Sequence, residues 1–192
     1  MDDQTQLIAW LDQEDRRTTE TIRRCGVYIQ YVMGDQSRNE TSFSYTTGLF
    51  GMGHPELLAF GLSPANARGL FRELASRIRD GEDLIPGEIV TSDDWHHRVI
   101  VEVVPNPGQI LLAANRFYQR PPEQSVPALQ LTTDDRNGRF PWDDGYSFPA
   151  WLQPRPGEFS AWGCSSPSDE GSQLVDQPGA IAPVVPARRT QM

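Results

Sequence analysis

Side chains able to carry out chemistry are concentrated between positions 45 and 56: Tyr45, Thr46, Thr47, His54 and Glu56. An imidazole changes charge near neutral pH, with an ordinary pKa of about 6.5, so His54 is the candidate general base. Glu56 would orient its ring, and Tyr45 or Thr47 would supply a hydroxyl group. His54 and Glu56 are therefore the predicted catalytic residues. The opposing interpretation, that His54 only hydrogen-bonds the backbone of a tight turn, stays open on the sequence alone.

No complete catalytic signature surrounds these residues. Neither Ser44 nor Ser63 lies in the G-x-S-x-G pattern of a hydrolase nucleophile. The glycines from Gly48 to Gly53 lead into an extended segment, whereas a dinucleotide-binding glycine motif leads into a helix. The sequence specifies no cofactor.

We therefore expect a binding or regulatory module that takes a small ligand or a partner protein. Its cleft would lie near residues 43–49 and 53–56, with Tyr45, Thr47 and Trp142 as ligand-binding residues. The alternative is a hydrolase- or transferase-type enzyme that uses His54 as general base.

Two further polar clusters have simpler explanations. Asp93, His96 and His97 could be metal ligands, but adjacent residues rarely point at one ion unless another element closes the site. We predict a solvated loop there and no metal site. The aspartates at positions 134, 135, 143 and 144 surround Trp142, and aspartate favours turns by bonding nearby backbone. We predict a turn, in which Trp142 lines a cleft or covers the sheet edge.

Charge and composition exclude several classes of protein. A net charge of -9 over 192 residues argues against a general nucleic-acid binder, whose affinity comes from neutralising phosphates. All 17 basic residues are arginine, which excludes Schiff-base and P-loop lysine chemistry. No apolar run approaches the ~20 residues of a membrane span, and the N-terminus lacks the apolar segment of a secretory signal. We expect a cytoplasmic protein that binds a small molecule or a protein, and neither nucleic acid nor a membrane.

Apolar periodicity predicts an α+β fold: a mixed or antiparallel sheet of about five strands, two packed amphipathic helices, an N-terminal helix and a disordered C-terminal tail. Strands are predicted at residues 27–33, 41–49, 56–62, 98–104 and 126–132, the first two as a hairpin. Ser63 and Pro64 should begin one helix, and Asn106 should begin another whose apolar stripe ends at Tyr118. The predicted organisation is an N-terminal helix (1–25), an α+β domain (26–152) and a Pro/Ser/Gly-rich tail (153–192).

Several separated blocks of the sequence point to one family. They are FSYTTGL at 43–49, GHPE at 53–56, LAFGLSP at 58–64, PALQL at 127–131, DRNG at 135–138 and RFPW at 139–142. Their order and spacing resemble the bacterial domain of unknown function family 4262 over roughly residues 20–145. The resemblance implies one compact α+β domain and carries no established activity or catalytic assignment.

Overall fold

Six strands form one sheet at the centre of the protein. The computed structural model describes residues 3–93 and 95–159. The strands are β1 Tyr28–Val32, β2 Phe43–Thr47, β3 Glu56–Phe60, β4 Ile89–Val90, β5 Val99–Val103 and β6 Ala128–Thr133. Their order across the sheet is β1-β2-β3-β6-β5-β4. All neighbours pair antiparallel except β3 and β6, which are parallel. The predicted α+β fold with a mixed sheet is confirmed, with six strands where about five were expected.

The position of β3 follows from its composition. Every residue of Glu56–Phe60 is buried, as expected for a short apolar run that is covered on both faces. Because β3 and β6 run parallel, their carboxyl ends, after Phe60 and Thr133, meet at the same edge of the sheet.

Three helices accompany the sheet: α1 Asp3–Cys25, α2 Pro64–Arg79 and α3 Leu112–Phe117. The start of α2 is as predicted, since the Ser63 hydroxyl accepts the N–H of Asn66 and proline occupies the first helical position. The apolar stripe of α2 packs on one face of the sheet, while α3 and its neighbouring turns pack on the other. Within the described residues, no helix combines the length and the hydropathy that crossing a bilayer requires.

The N-terminal helix contacts the rest of the protein through its middle as well as near its C-terminal end. Contact through the ends only was expected, because residues 12–21 are nearly all polar. Ile22 does lie against Gly48, but Thr18 is also buried, and Asp15 Oδ1 forms an ion pair of 3.0 Å with Arg116 of α3. Arg116 also donates to the Leu11 carbonyl at 3.3 Å, so the polar stretch contacts α3 through charge and hydrogen bonding.

The second predicted helix is shorter than its apolar spacing indicates. A helix was expected from Asn106 onward, but a 3₁₀ turn at Pro107–Gln109 comes first and α3 begins only at Leu112. A Cβ atom placed on Gly108 would lie 2.2 Å from the carbonyl oxygen of Pro122. This backbone-to-backbone contact holds the segment in a tight turn and delays the helix.

Residues 153–159, which the sequence assigns to the tail, pack on the body. Gln153 is buried against Thr133 at the end of β6, and the ring of Phe159 lies 5.1 Å from Phe43 and 4.9 Å from Phe60. The α+β body therefore continues to Phe159. The predicted tail beyond it, with Trp162 and Cys164, lies outside the described residues.

Candidate functional site

Glu56 is the centre of a buried hydrogen-bond cluster at the corner between β2 and β3. Thr46 Oγ1 donates to its Oε2 at 2.6 Å, and the backbone N–H groups of Gly48 and Phe50 donate to Oε1 at 2.8 and 3.1 Å. Thr46 Oγ1 also accepts the N–H of Leu57 at 2.8 Å. Burial raises the pKa of the Glu56 carboxyl, and the hydrogen bonds from Thr46, Phe50 and Gly48 oppose that rise. The carboxyl group thus satisfies donors that the sheet leaves unpaired.

Tyr118, directly after α3, completes this corner and was assigned only to an apolar stripe by the sequence. Its hydroxyl oxygen accepts the N–H of Gly51 at 3.2 Å. Burial and the neighbouring Glu56 carboxylate raise the pKa of Tyr118 to about 12. The contact with Gly51 joins positions 67 residues apart, so no local spacing in the sequence indicates it.

His54 lies beside this corner with its ring packed inside the protein. The side chain is 6% exposed, and Nδ1 lies 2.7 Å from the carbonyl oxygen of Pro55. A carbonyl only accepts hydrogen bonds, so Nδ1 is the donor in this contact. Nε2 is buried and has no partner among the described residues. The geometry is that of a turn histidine bonded to backbone, the second of the two interpretations left open by the sequence.

Tyr45 and Thr47 are likewise interior residues. They are 2% and 1% exposed, and the Tyr45 hydroxyl accepts the N–H of Ala113 at the start of α3 at 3.1 Å. Burial raises the pKa of Tyr45 to about 12. Direct contact between these side chains and a ligand would require α3 to separate from the sheet.

Trp142 lies at the surface, away from the Glu56 corner. Its indole stacks on Phe140 with ring centroids 5.1 Å apart, and the guanidinium of Arg155 lies 4.1 Å from its ring centroid. Arg155 also forms an ion pair with Glu102 of β5 at 3.0 Å. Trp142 is therefore linked to β5 through Arg155.

A cleft of about 500 Å³ lies at the other end of β3, where the carboxyl ends of β3 and β6 meet. Its apolar wall comes mainly from Leu62, Leu70, Trp95, Phe148 and Leu152. Its polar side chains are Ser63, Asn66, His96, His97, Thr133, Asp134, Tyr146 and Gln153. The structure thus places His96 and His97, predicted in a solvated loop, on the wall of a cleft. No group of three or more metal-ligating side chains is arranged around an ion site in the part of the chain that the structure describes.

Asp134 is the carboxylate of this cleft, and Arg98 already binds it. Its Oδ2 accepts Arg98 Nε at 2.8 Å, and its Oδ1 accepts the Arg98 backbone N–H at 2.9 Å. His97 Nδ1 lies 3.5 Å from the same Oδ1. Arg98 in turn bonds the carbonyl of Gly138 and lies over the ring of Phe140. The Asp134 side chain is therefore paired within the protein.

Asp135 fixes the segment that forms the outer wall of the cleft. Its Oδ1 accepts the backbone N–H groups of Asn137 and Arg139 at 2.8 and 2.9 Å. Its Oδ2 accepts the N–H and the hydroxyl of Ser147 at 3.0 and 2.6 Å. These hydrogen bonds lower the pKa of the Asp135 carboxyl, most strongly the one from the Ser147 hydroxyl. Ser147 stands between two aromatic residues that line the cleft, so Asp135 positions both of them.

A comparison with protein families supports the resemblance seen in the sequence. The model of a domain of unknown function, DUF4262, matches residues 21–147. The chain belongs to the DUF4262 family. No curated protein and no solved structure matches the chain. The DUF4262 segment contains the whole Glu56 corner and most of the cleft, and it ends before Phe148, Leu152 and Gln153.

Proposed function

We propose that this DUF4262 domain binds a small molecule in the cleft at the carboxyl ends of β3 and β6. The observation that carries the proposal is the cleft itself: about 500 Å³, walled by aromatic and aliphatic side chains, with a few convergent polar groups. Small-molecule sites in proteins have this size and this mixture of surfaces. The proposal keeps the binding role expected from the sequence and moves it from the Glu56 corner to the opposite end of β3.

The position of the cleft in the fold supports a binding role. Ligands of open sheets with parallel strands bind in the crevice beyond the carboxyl ends of those strands, because the polypeptide diverges there and leaves space. In this sheet β3 and β6 are the parallel pair, and the cleft begins at Gly61, directly after β3, and at Thr133, the last residue of β6.

The walls are held by buried polar contacts, which favours a preformed site. Gln153 and Asp134 are 6% and 5% exposed and bond to Thr133 and Arg98. A preformed site loses little conformational entropy when a ligand binds, and this increases affinity. The proposal includes the bacterial, cytoplasmic setting expected from the sequence. The competing proposal is that the cleft binds a protein partner.

Gly69 of α2 allows a direct test. It lines the cleft, and a Cβ atom built on it meets no other atom within 4 Å. The Gly69→Trp variant should fill the cleft, whereas Gly69→Ala adds one methyl group to an exposed helical position. We expect native mass spectrometry and a thermal-shift screen of small molecules to find the same ligand on the wild type and on Gly69→Ala, and none on Gly69→Trp.

Circular dichroism of Gly69→Trp serves as the folding control. A ligand that Gly69→Trp retains at full occupancy would place binding elsewhere. If the wild type binds no small molecule in either assay but captures a protein that Gly69→Trp does not capture, the small-molecule proposal is wrong and the cleft binds a protein partner.

A further inference from the structure

Tyr146 presents a hydrogen-bond donor to the cleft, and the contacts of Gln153 establish this. The backbone N–H of Thr133 lies 2.9 Å from Gln153 Oε1, and a backbone N–H can only donate. The side-chain amide is thereby oriented, so Nε2 donates to the Thr133 carbonyl at 3.0 Å and to the Tyr146 hydroxyl oxygen at 2.6 Å. The Tyr146 oxygen is therefore an acceptor toward Gln153, and its own proton is left to donate.

No described residue accepts the hydroxyl proton of Tyr146, and Tyr146 lines the cleft. Burial raises the pKa of Tyr146, so the hydroxyl stays protonated at neutral pH. A ligand group that accepts a hydrogen bond would pair with it.

The described carboxylate of the cleft wall is not free to bind a cation. Among the described wall residues Asp134 is the one carboxylate, and the guanidinium and backbone N–H of Arg98 already occupy it. The other ionisable wall groups besides Tyr146 are the imidazoles of His96 and His97, which are neutral or positive. An amine would compete with Arg98 for Asp134. A carboxylate would accept the Tyr146 proton, and this hydrogen bond must outweigh the repulsion from Asp135 and Asp134, which also raises the pKa of Tyr146.

The remaining wall favours a flat apolar body. Trp95, Phe148 and Tyr146 contribute aromatic rings, and Tyr146 and Phe148 form an edge-to-face pair with centroids 5.7 Å apart. The Trp95 ring is held in place by Arg77, whose guanidinium lies 5.5 Å from its centroid. Aromatic rings that are already ordered bind a planar molecule at low entropic cost.

We infer that the cleft binds a planar aromatic molecule that carries a carboxylate, with Tyr146 donating to that carboxylate. This inference rests on the proposed function and adds the chemical class of the ligand.

Three probes that share one ring system test the inference: 2-naphthoate, 2-naphthylmethanol and 2-naphthylmethylamine, titrated calorimetrically into the full-length protein at pH 7.5. We expect the carboxylate to bind at least about tenfold more tightly than the amine. The Tyr146→Phe variant removes only the hydroxyl, and it should weaken 2-naphthoate about tenfold or more, since hydrogen bonds to charged groups are the stronger ones. The same variant should leave the amine within about threefold, which a merely structural role of the hydroxyl would not produce. Gly69→Trp should abolish binding of 2-naphthoate, and Gly69→Ala should not.

The outcomes separate this inference from the proposed function. If the amine binds as tightly as the carboxylate and Gly69→Trp blocks it, the cleft is a binding site and the carboxylate assignment is wrong. Carboxylate binding that survives Gly69→Trp, or is unchanged in Tyr146→Phe, also overturns the assignment. If none of the probes binds, the assignment fails, and the native mass spectrometry and thermal-shift comparison of the wild type with Gly69→Trp decides the proposed function.

Discussion

At the scale of single residues, the buried carboxyl of Glu56 should be a structural group whose removal is costly. Glu56→Ala leaves the Thr46 hydroxyl and the N–H groups of Gly48 and Phe50 without an acceptor. A buried donor without a partner costs about 1–3 kcal/mol, so we expect the free energy of unfolding to fall by about 3 kcal/mol or more. Urea titration at neutral pH measures this. A loss below about 1 kcal/mol would show that water replaces the carboxyl group.

Glu56 should also make stability depend on pH, with a definite sign. Burial raises its pKa, so the folded protein binds more protons than the unfolded chain, whose glutamates titrate near pH ~4.3. The contribution of Glu56 is complete below that pH and is lost as the pH rises through the folded-state pKa. In Glu56→Gln, which keeps an acceptor for the N–H groups, this slope should disappear. Urea titrations of both proteins between pH 4 and pH 8 check it, and identical slopes would refute it.

Asp135 should control the order of the outer cleft wall. Asp135→Asn keeps one oxygen for the N–H groups of Asn137 and Arg139, but its amide nitrogen cannot accept the N–H of Ser147. Hydrogen exchange should therefore accelerate at Ser147 while the amides of Asn137 and Arg139 stay protected. The Ser147→Ala variant removes only the hydroxyl contact and should show a smaller effect. Unchanged protection of Ser147 in Asp135→Asn would mean that packing of the aromatic neighbours, and not the carboxylate, holds the segment.

At the scale of elements, two glycines should respond to alanine in opposite directions. A Cβ on Gly108 would lie 2.2 Å from the Pro122 carbonyl oxygen, so Gly108→Ala must push the two turns apart. Overpacking of this kind costs about 1–3 kcal/mol. Gly69 is exposed within α2 with open space around it, and Gly69→Ala should add roughly 0.5–1 kcal/mol by restricting the unfolded chain. Thermal unfolding of both variants measures the difference, and a stable Gly108→Ala protein would show that the turns can separate freely.

Elements governed by local pattern were predictable from the sequence. Strand β3, the β1–β2 hairpin and the Ser63-capped start of α2 each follow from side-chain spacing within a short window. The start of α3 was not predictable, because it is set by contact between Gly108 and the distant Pro122. Short-range patterns hold no information on such long-range backbone contacts.

The candidate site was hidden for the same reason. Its residues come from separate stretches of chain, and the pairing of β6 with both β3 and β5 brings Asn66, His97 and Tyr146 to one edge. Reactive residue types are indeed concentrated at positions 45–56, but those side chains stabilise the corner between β2 and β3. The sequence did not indicate that Glu56 is buried, because its hydrogen-bond partners are largely backbone N–H groups, which every residue except proline possesses.

At the scale of the whole molecule, the strap formed by residues 139–159 links the two faces of the sheet. Near its start it supports Arg98 through Phe140, in its middle it forms the cleft wall, and at its end Phe159 packs against the core on the α3 face. The cleft and the core are thus covered by one continuous segment, so shortening the chain should affect both.

A chain ending at Leu152 should therefore be less stable than one ending at Phe159. The shorter chain loses the Gln153 hydrogen bonds to Thr133 and the contacts of the Phe159 ring with Phe43 and Phe60. Loss of a packed aromatic ring and of buried hydrogen bonds costs about 3 kcal/mol, which lowers Tm by about 6–12 °C in a protein of this size. Phe159→Ala in the longer chain should account for part of the drop while leaving the cleft intact, and the remainder should appear only when Gln153 is removed. Equal melting temperatures for the two chains would return the domain boundary to residue 152, where the sequence alone placed it.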